Sequence, residues 1–303
     1  SIYNYLQVKN LSDRTILSTN VLFGVQSVTM KDKGLTGMYY DTALAAPALA
    51  DNANSALILG MGTGTYARQL KQYYPKMNIT GVEIDQKITD LAGEYFDEPA
   101  DIPVTTYDGR AWLAASHDKY DVIMVDAYQD ITIPFQMSST EFFTMVREHL
   151  NPGGVMVVNM NMISDGQGSI NEALSDTIAS VFGNGNTLTA DVPNTTNREL
   201  FAKKPGSGSE ENSMQQASKA LNLRETTYER TGSEDLEWYM EEVASRFRKV
   251  NEPDSASTIL TDDKAPVEVL GMHAIDQIIA DEAGPYRQIL KDEGFGGLLR
   301  AVQ

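Results

Sequence analysis

The chain has 303 residues, 42% apolar and 22% charged, the balance of a globular protein able to bury a sizeable core. Its 42 acids against 24 bases give a formal net charge of -18, which disfavours nucleic acid and anionic lipid as partners and suits a cationic ligand or plain solubility. The absence of cysteine excludes disulfides, thiolate catalysis and cysteine-ligated metals, and the three histidines, His117, His149 and His273, fall in unrelated segments, so no metal is expected.

The longest apolar run, residues 43–50, is far short of the about 20 residues a bilayer requires. With no charged-then-apolar leader, the chain is expected to be cytoplasmic, and its start at Ser1 without methionine to mark a fragment or a trimmed piece. Residues 3–8 and 21–28 alternate as β-strands do, about a turn-prone stretch at 11–14, predicting a small antiparallel sheet within residues 1–38. Tyr39, Tyr40 and Asp41 then open a predicted helix to about Ala50, kinked at Pro47. Residues 56–59 are apolar without alternation, as in a strand buried on both faces, and run straight into Gly60, Gly62 and Gly64. A helix over 65–73 follows, with Tyr66, Leu70 and Tyr73 along one face.

Strands at 78–83, 104–107, 120–125 and 155–160 then alternate with helices at 86–96, about 138–150 and 170–182. The helix at 138 is opened by a capping box of Ser138 and Glu141, and residues 151–154 form a turn after it. Residues 187–192 and 199–203 close the set as an antiparallel pair. This order predicts an α/β fold over residues 39–204: a doubly wound, mostly parallel, seven-stranded sheet of Rossmann-like type. Residues 205–212 read as a linker, and 205–303 as a helical extension packed on that domain, with helices at 213–223, 234–250 and about 274–280. Its loop at 260–268 carries the adjacent acids Asp262 and Asp263.

In an open α/β sheet ligands bind beyond the carboxyl ends of the strands, and the chain places the glycine turn, Glu83 with Asp85, Asp108 with Gly109, and Asp126 at such ends. Glycines allow close backbone approach, and the following helix offers free N–H groups. A carboxylate about 20 residues further on can grip ribose hydroxyls, which makes this a nucleoside turn, with no lysine in it to hold phosphate. Taken singly, each element has a plainer reading: a tight turn, helix-capping acids at Glu83 or Asp85, a turn pair at Asp108-Gly109.

The same residues carry a resemblance. From Tyr3 to about Lys203 the chain resembles the spermidine synthase family of polyamine aminopropyltransferases, relatives of the class I S-adenosylmethionine methyltransferases. The matching pieces are Tyr3-Asn4, Gln26, Tyr39-Tyr40-Asp41, the glycine turn, Glu83-Ile84-Asp85, Asp108-Gly109 and Val125-Asp126. Residues 125–128 and 260–268 are similar to a divergent branch fused to membrane-spanning segments, which implies such a fusion in the full-length protein. The resemblance further implies a homodimer, a small polyamine substrate, and decarboxylated S-adenosylmethionine as co-substrate without a metal. It places the nucleoside on Gly60, Gly62, Thr63, Gly64, Gln26, Glu83, Asp85, Asp108 and Gly109. Asp126 would be the base that deprotonates the attacking amine, Tyr39 would line the polyamine channel, and Asn4, Tyr40, Asp41, Gln129 and Asp130 would contact the acceptor. Tyr39 reads equally as an aromatic anchor between the small sheet and the main domain.

Three departures bear on chemistry. Thr63 stands where the family's glycine turn carries an aspartate, and Gln129 where a second acid follows the catalytic one, with Asp130 next to it. The family's tyrosine-proline segment has no counterpart between Asn161 and Asn197. A methyltransferase using intact S-adenosylmethionine, and a non-catalytic nucleoside- or polyamine-sensing domain, are therefore the alternatives to aminopropyl transfer.

Overall fold

The structure is a computed structural model that describes residues 1–20, 25–97, 99–127, 133–160, 166, 168–183, 185–206 and 222–272. An eight-stranded sheet forms its centre. Five neighbouring strands run parallel: β8 (Leu150–Met160), β7 (Tyr120–Val125), β4 (Ser55–Leu59), β5 (Asn78–Glu83) and β6 (Val104–Thr106). Beyond β8 the pairing turns antiparallel through β10 (Arg198–Lys203), β9 (Thr187–Asp191) and β11 (Phe247–Lys249). The apolar, non-alternating strands are buried on both faces, as their composition dictates. Leu57, Ile123 and Met156 face one layer, with Phe142, Phe143 and Ile178 of helices α6 (Thr140–His149) and α7 (Ile170–Phe182). Their neighbours Ile58, Met124 and Val157 face the other, with Tyr39, Ala43, Tyr66 and Leu70 of α1 (Tyr39–Ala43) and α3 (Thr65–Tyr73).

The fold class expected from the sequence holds, with local differences. The eighth strand arises because the helix expected over 234–250 ends at Ser245; Phe247, Arg248 and Lys249 then pair with β9. The N-terminal sheet has three strands: β1 (Leu6–Asn10), β2 (Arg14–Thr19) and β3 (Ser27–Met30). The stretch expected to be a turn ends where β2 starts, and Val28 belongs to the third strand. The helix expected from Tyr39 to Ala50 is two short ones, α1 and α2 (Ala45–Leu49). They part beside Ala43, the residue four before Pro47, whose carbonyl a proline ring crowds and cannot bond. Ser139 rather than Ser138 caps α6, accepting from the Phe142 N–H at 3.3 Å. The expected turn at 151–154 is instead a bulge within β8, where the register with β7 shifts between Tyr120 and Val122.

Two helices went unread in the sequence: α5 (Gly109–Ala115) and α8 (Leu223–Thr231), which packs on α9 (Glu234–Ser245). The helices expected over 213–223 and about 274–280 lie mostly or wholly outside the described residues, as does most of the expected linker. No helix among the described residues is long and apolar enough to cross a membrane.

The C-terminal extension is held to the sheet by β11 and by the Phe247 ring, which stands edge-on to Phe201 with centroids 5.7 Å apart. Phe247→Ala should lower stability by about 2 kcal/mol and speed amide exchange in β11 and β9, measurable by denaturant unfolding and hydrogen exchange.

Candidate active site

The carboxyl ends of β4, β5 and β7 and the small N-terminal sheet enclose a cavity of about 310 Å³. Gly60, Gly62, Glu83, Asp108, Gly109 and Asp126 line it from the main domain, and Asn4, Gln26, Ser27 and Tyr40 close the opposite side. Gly60 and Gly62 have φ of 86° and 57°, the left-handed region open to glycine at little cost. A Cβ on Gly60 would lie 2.4 Å from the Asp126 carbonyl oxygen, so no other residue fits.

Glu83 fixes this turn. Its Oε2 accepts the Gly62 N–H at 2.8 Å and its Oε1 the Asp85 N–H at 3.0 Å. Burial pushes the Glu83 carboxyl above its usual range, against the pull of those N–H bonds. Asp108 caps α5, Oδ1 accepting the Ala111 N–H at 2.8 Å, and also lines the cavity. The plain reading as a cap and the functional reading therefore describe one residue.

Asp126 follows β7, its N–H bonded to the Leu59 carbonyl at 2.9 Å. Oδ2 accepts the Tyr39 hydroxyl at 2.6 Å and Oδ1 the Asn159 amide at 3.0 Å. Asn159 is held in turn by Asn197, whose amide donates to its Oδ1 at 2.9 Å. Burial raises the Asp126 carboxyl to about 7; the two donors lower it and the Glu83 charge adds to the rise. Tyr39 thus bonds directly to Asp126, and Tyr40 anchors the small sheet, donating to the Gln26 carbonyl at 2.8 Å. Burial likewise drives the Tyr39 hydroxyl well above 10, so it stays a donor.

Several expected ligands point elsewhere. Asp41 is fully buried and does not line the cavity. It accepts the Thr36 N–H and hydroxyl, the Gly37 N–H and the Gln69 amide at 2.5–3.0 Å, tying the chain entering α1 to α3. Asp85 caps α4 (Gln86–Tyr95) by accepting the Lys87 N–H at 3.0 Å. Gly64 starts α3 behind the turn. Thr63 is fully buried and off the cavity, with no partner for its hydroxyl and its carbonyl held by Arg68 at 2.6 Å. Gln129 and Asp130 lie outside the described residues.

Sequence reasoning missed Asn159 as a partner of Asp126; its one signal was an amide at the end of an otherwise apolar strand. It also left Asp262 unplaced. Asp262 forms a two-pronged pair with Arg110 at 2.6 and 2.7 Å and accepts the Ser139 hydroxyl at 2.5 Å. Arg110 also donates to the carbonyl of Gln136, a cavity-wall residue, at 2.7 Å. The guanidinium bond pulls the Asp262 carboxyl down to about 2. The 260–268 loop is therefore strapped behind the wall rather than facing the cavity. Among the described lining residues there are three carboxylates, Glu83, Asp108 and Asp126, and no lysine, arginine or histidine.

The fold defines the class: a Rossmann-like α/β domain of methyltransferase type. The family described as "Spermine/spermidine synthase domain" matches residues 38–204, more than half the chain, and the chain belongs to it. A polyamine aminopropyltransferase of Corynebacterium efficiens is 37% identical over 131 residues, 39% of this chain and 25% of that protein. One of Alkaliphilus metalliredigens is 32% identical over 143 residues, 45% of this chain and 49% of that protein. The chain thus spans between a quarter and a half of these relatives. Among solved structures, a probable spermidine synthase from Corynebacterium glutamicum superposes with a TM-score of 0.59 at 20% identity, covering 85% of this chain and 95% of that one.

Asp41→Ala removes an acceptor serving four donors, and should cost about 3 kcal/mol of stability. The affinity for 5'-methylthioadenosine should stay within about threefold, by denaturant unfolding and calorimetry respectively.

Proposed function

We propose that the domain transfers an aminopropyl group from decarboxylated S-adenosylmethionine to an amine acceptor. The observation that carries the reading is the cavity's charge: three carboxylates and no basic side chain among the described lining residues. Decarboxylated S-adenosylmethionine is a dication with no carboxylate, and such a cavity attracts it. The intact nucleoside adds a carboxylate that would meet like charge with no cation to offset it. Thr63, the main sequence argument for the intact nucleoside, lies off the cavity.

Glu83 suits the ribose hydroxyls, Asp108 the adenine amino group, and Gly60 and Gly62 allow close approach to the nucleoside. An alkylammonium, with a pKa near ~10, is no nucleophile until it loses a proton. Asp126, held near 7 and oriented by Tyr39 and Asn159, takes that proton. The freed amine attacks the methylene beside the sulfonium; the new C–N bond forms as the C–S bond breaks, and the sulfur's electron pair leaves with 5'-methylthioadenosine. The sulfonium is already a good leaving group, so alignment and charge supply most of the rest.

Incubation with decarboxylated S-adenosylmethionine and a panel of amines should release methylthioadenosine, and Asp126→Asn should lower turnover by about 10³-fold or more while nucleoside affinity changes little. No product with any amine would overturn the reading.

The base must be ionised, so kcat/KM should rise with pH through about 7. Tyr39→Phe removes a donor that favours ionised Asp126, so the acid limb should move up by about one unit. Stability has the opposite sense: with a folded pKa above the ordinary 3.8, the contribution of Asp126 is full below that value and is lost as pH rises through about 7.

A further inference from the structure

Resting on the nucleoside placement proposed above, we propose that Asp262 is a positioning residue for that nucleoside: through Arg110 it holds the 134–137 wall of the cavity against the wall formed by Asp108 and Gly109. Arg110 follows Gly109 in the first turn of α5, so its stem leaves from one wall. Its Nη1 donates to the Gln136 carbonyl at 2.7 Å on the facing wall, where Pro134, Gln136 and Met137 line the cavity. The two walls are in contact: Met137 Cε lies 3.6 Å from the point a Gly109 Cβ would occupy. One guanidinium therefore spans both walls beside Asp108, the residue suited to the adenine amino group.

A guanidinium on a rotatable stem keeps one plane when a fork of acceptors holds it. Asp262 supplies that fork, accepting from Nη1 at 2.7 Å and from Nη2 at 2.6 Å. Asp262 is itself fixed: Oδ1 accepts the Ser139 hydroxyl at 2.5 Å, and its N–H donates to Glu141 Oε2 at 3.0 Å. Two residues earlier, Leu260 is fully buried in the layer of α6 and α7. Its N–H donates to Thr177 Oγ1 at 2.9 Å and its carbonyl accepts the Thr140 N–H at 2.9 Å. The loop is thus rooted in the core and passes that rigidity to the cavity wall. It does so from outside the family domain, 152 residues along the chain from Arg110. The pair is partly exposed, 22% for the Arg110 side chain and 40% for Asp262, and such pairs add little to stability. Its effect falls on the position of Gln136, because a wall held in place before binding spares the ligand the cost of ordering it.

The test is calorimetry with 5'-methylthioadenosine on the wild type, Asp262→Ala, Asp262→Asn and Phe247→Ala. Asp262→Ala should raise the Kd by about tenfold, and Asp262→Asn, which keeps one acceptor oxygen in the fork, by about threefold. Phe247→Ala loosens the same extension at β11, away from this wall, and should leave the Kd within about twofold. In turnover, the KM for decarboxylated S-adenosylmethionine should rise with the Kd in both Asp262 variants, while kcat, the amine KM and the acid limb stay as in the wild type. An unchanged Kd in Asp262→Ala, as a plain surface ion pair would give, overturns the proposal. So does an equal rise in Phe247→Ala, the mark of general loosening. If Asp262→Ala does not fold, as judged by thermal unfolding, Asp262→Asn decides by the same two criteria. Wild type that binds no methylthioadenosine defeats the nucleoside reading itself. Wild type that binds it but turns over no amine defeats aminopropyl transfer alone, and the calorimetric comparison still decides the role of Asp262.

Discussion

The site depends on the close approach of two backbones. Gly60 leaves β4 against the Asp126 carbonyl, and any Cβ there would sit 2.4 Å from that oxygen. The Asp126 N–H is bonded to the Leu59 carbonyl. The glycine turn and Asp126 are thus fastened to each other without an intervening side chain. A co-substrate seated on the turn, as proposed, would lie beside Asp126, because the ends of β4 and β7 cannot separate without breaking the sheet.

Glu83 completes this arrangement from the next strand. By accepting from both Gly62 and Asp85, it fixes the glycine turn on one side and the entry to α4 on the other. Its charge also reaches Asp126 and adds to the rise of that carboxyl. In the proposed reaction, acids that attract a cationic co-substrate would therefore make Asp126 more basic at the same time. Attraction of a cationic co-substrate and activation of an acceptor would then be two effects of one charge distribution, while the Tyr39 and Asn159 donors pull the Asp126 carboxyl down against its burial.

What the sequence made legible follows the range of the forces involved. Burial on two faces leaves apolar runs such as 56–59 and 122–125 with no alternation, so the sheet could be read directly. The glycine turn and Asp126 each end such a run, while Glu83 and Asp108 stand at or just past the ends of the less apolar strands β5 and β6. Asp41 and Thr63 occupy positions that match ligands of the family but lie off the cavity: Thr36, Gly37 and Gln69 donate to the one, and the other is buried behind the turn. Carboxylates with the same local sequence signature differ in role according to which donors the fold brings to them.

The place of Glu199 beside Asn159 was hidden for a sharper reason. The expectation that ligands gather at carboxyl ends of strands applies to the parallel part of the sheet. Beyond β8 the pairing reverses, so the edge that carries the carboxyl ends of β4, β5, β7 and β8 carries the amino end of β10. Glu199, the second residue of its strand, arrives at the active edge from the opposite direction and is paired with Asn159. Gly60, Asp126, Asn159 and Glu199 then form a single row across four neighbouring strands, from the nucleoside turn to a buried acid. A sheet that changes from parallel to antiparallel beside its cavity brings residues into this row that strand ends alone do not reveal.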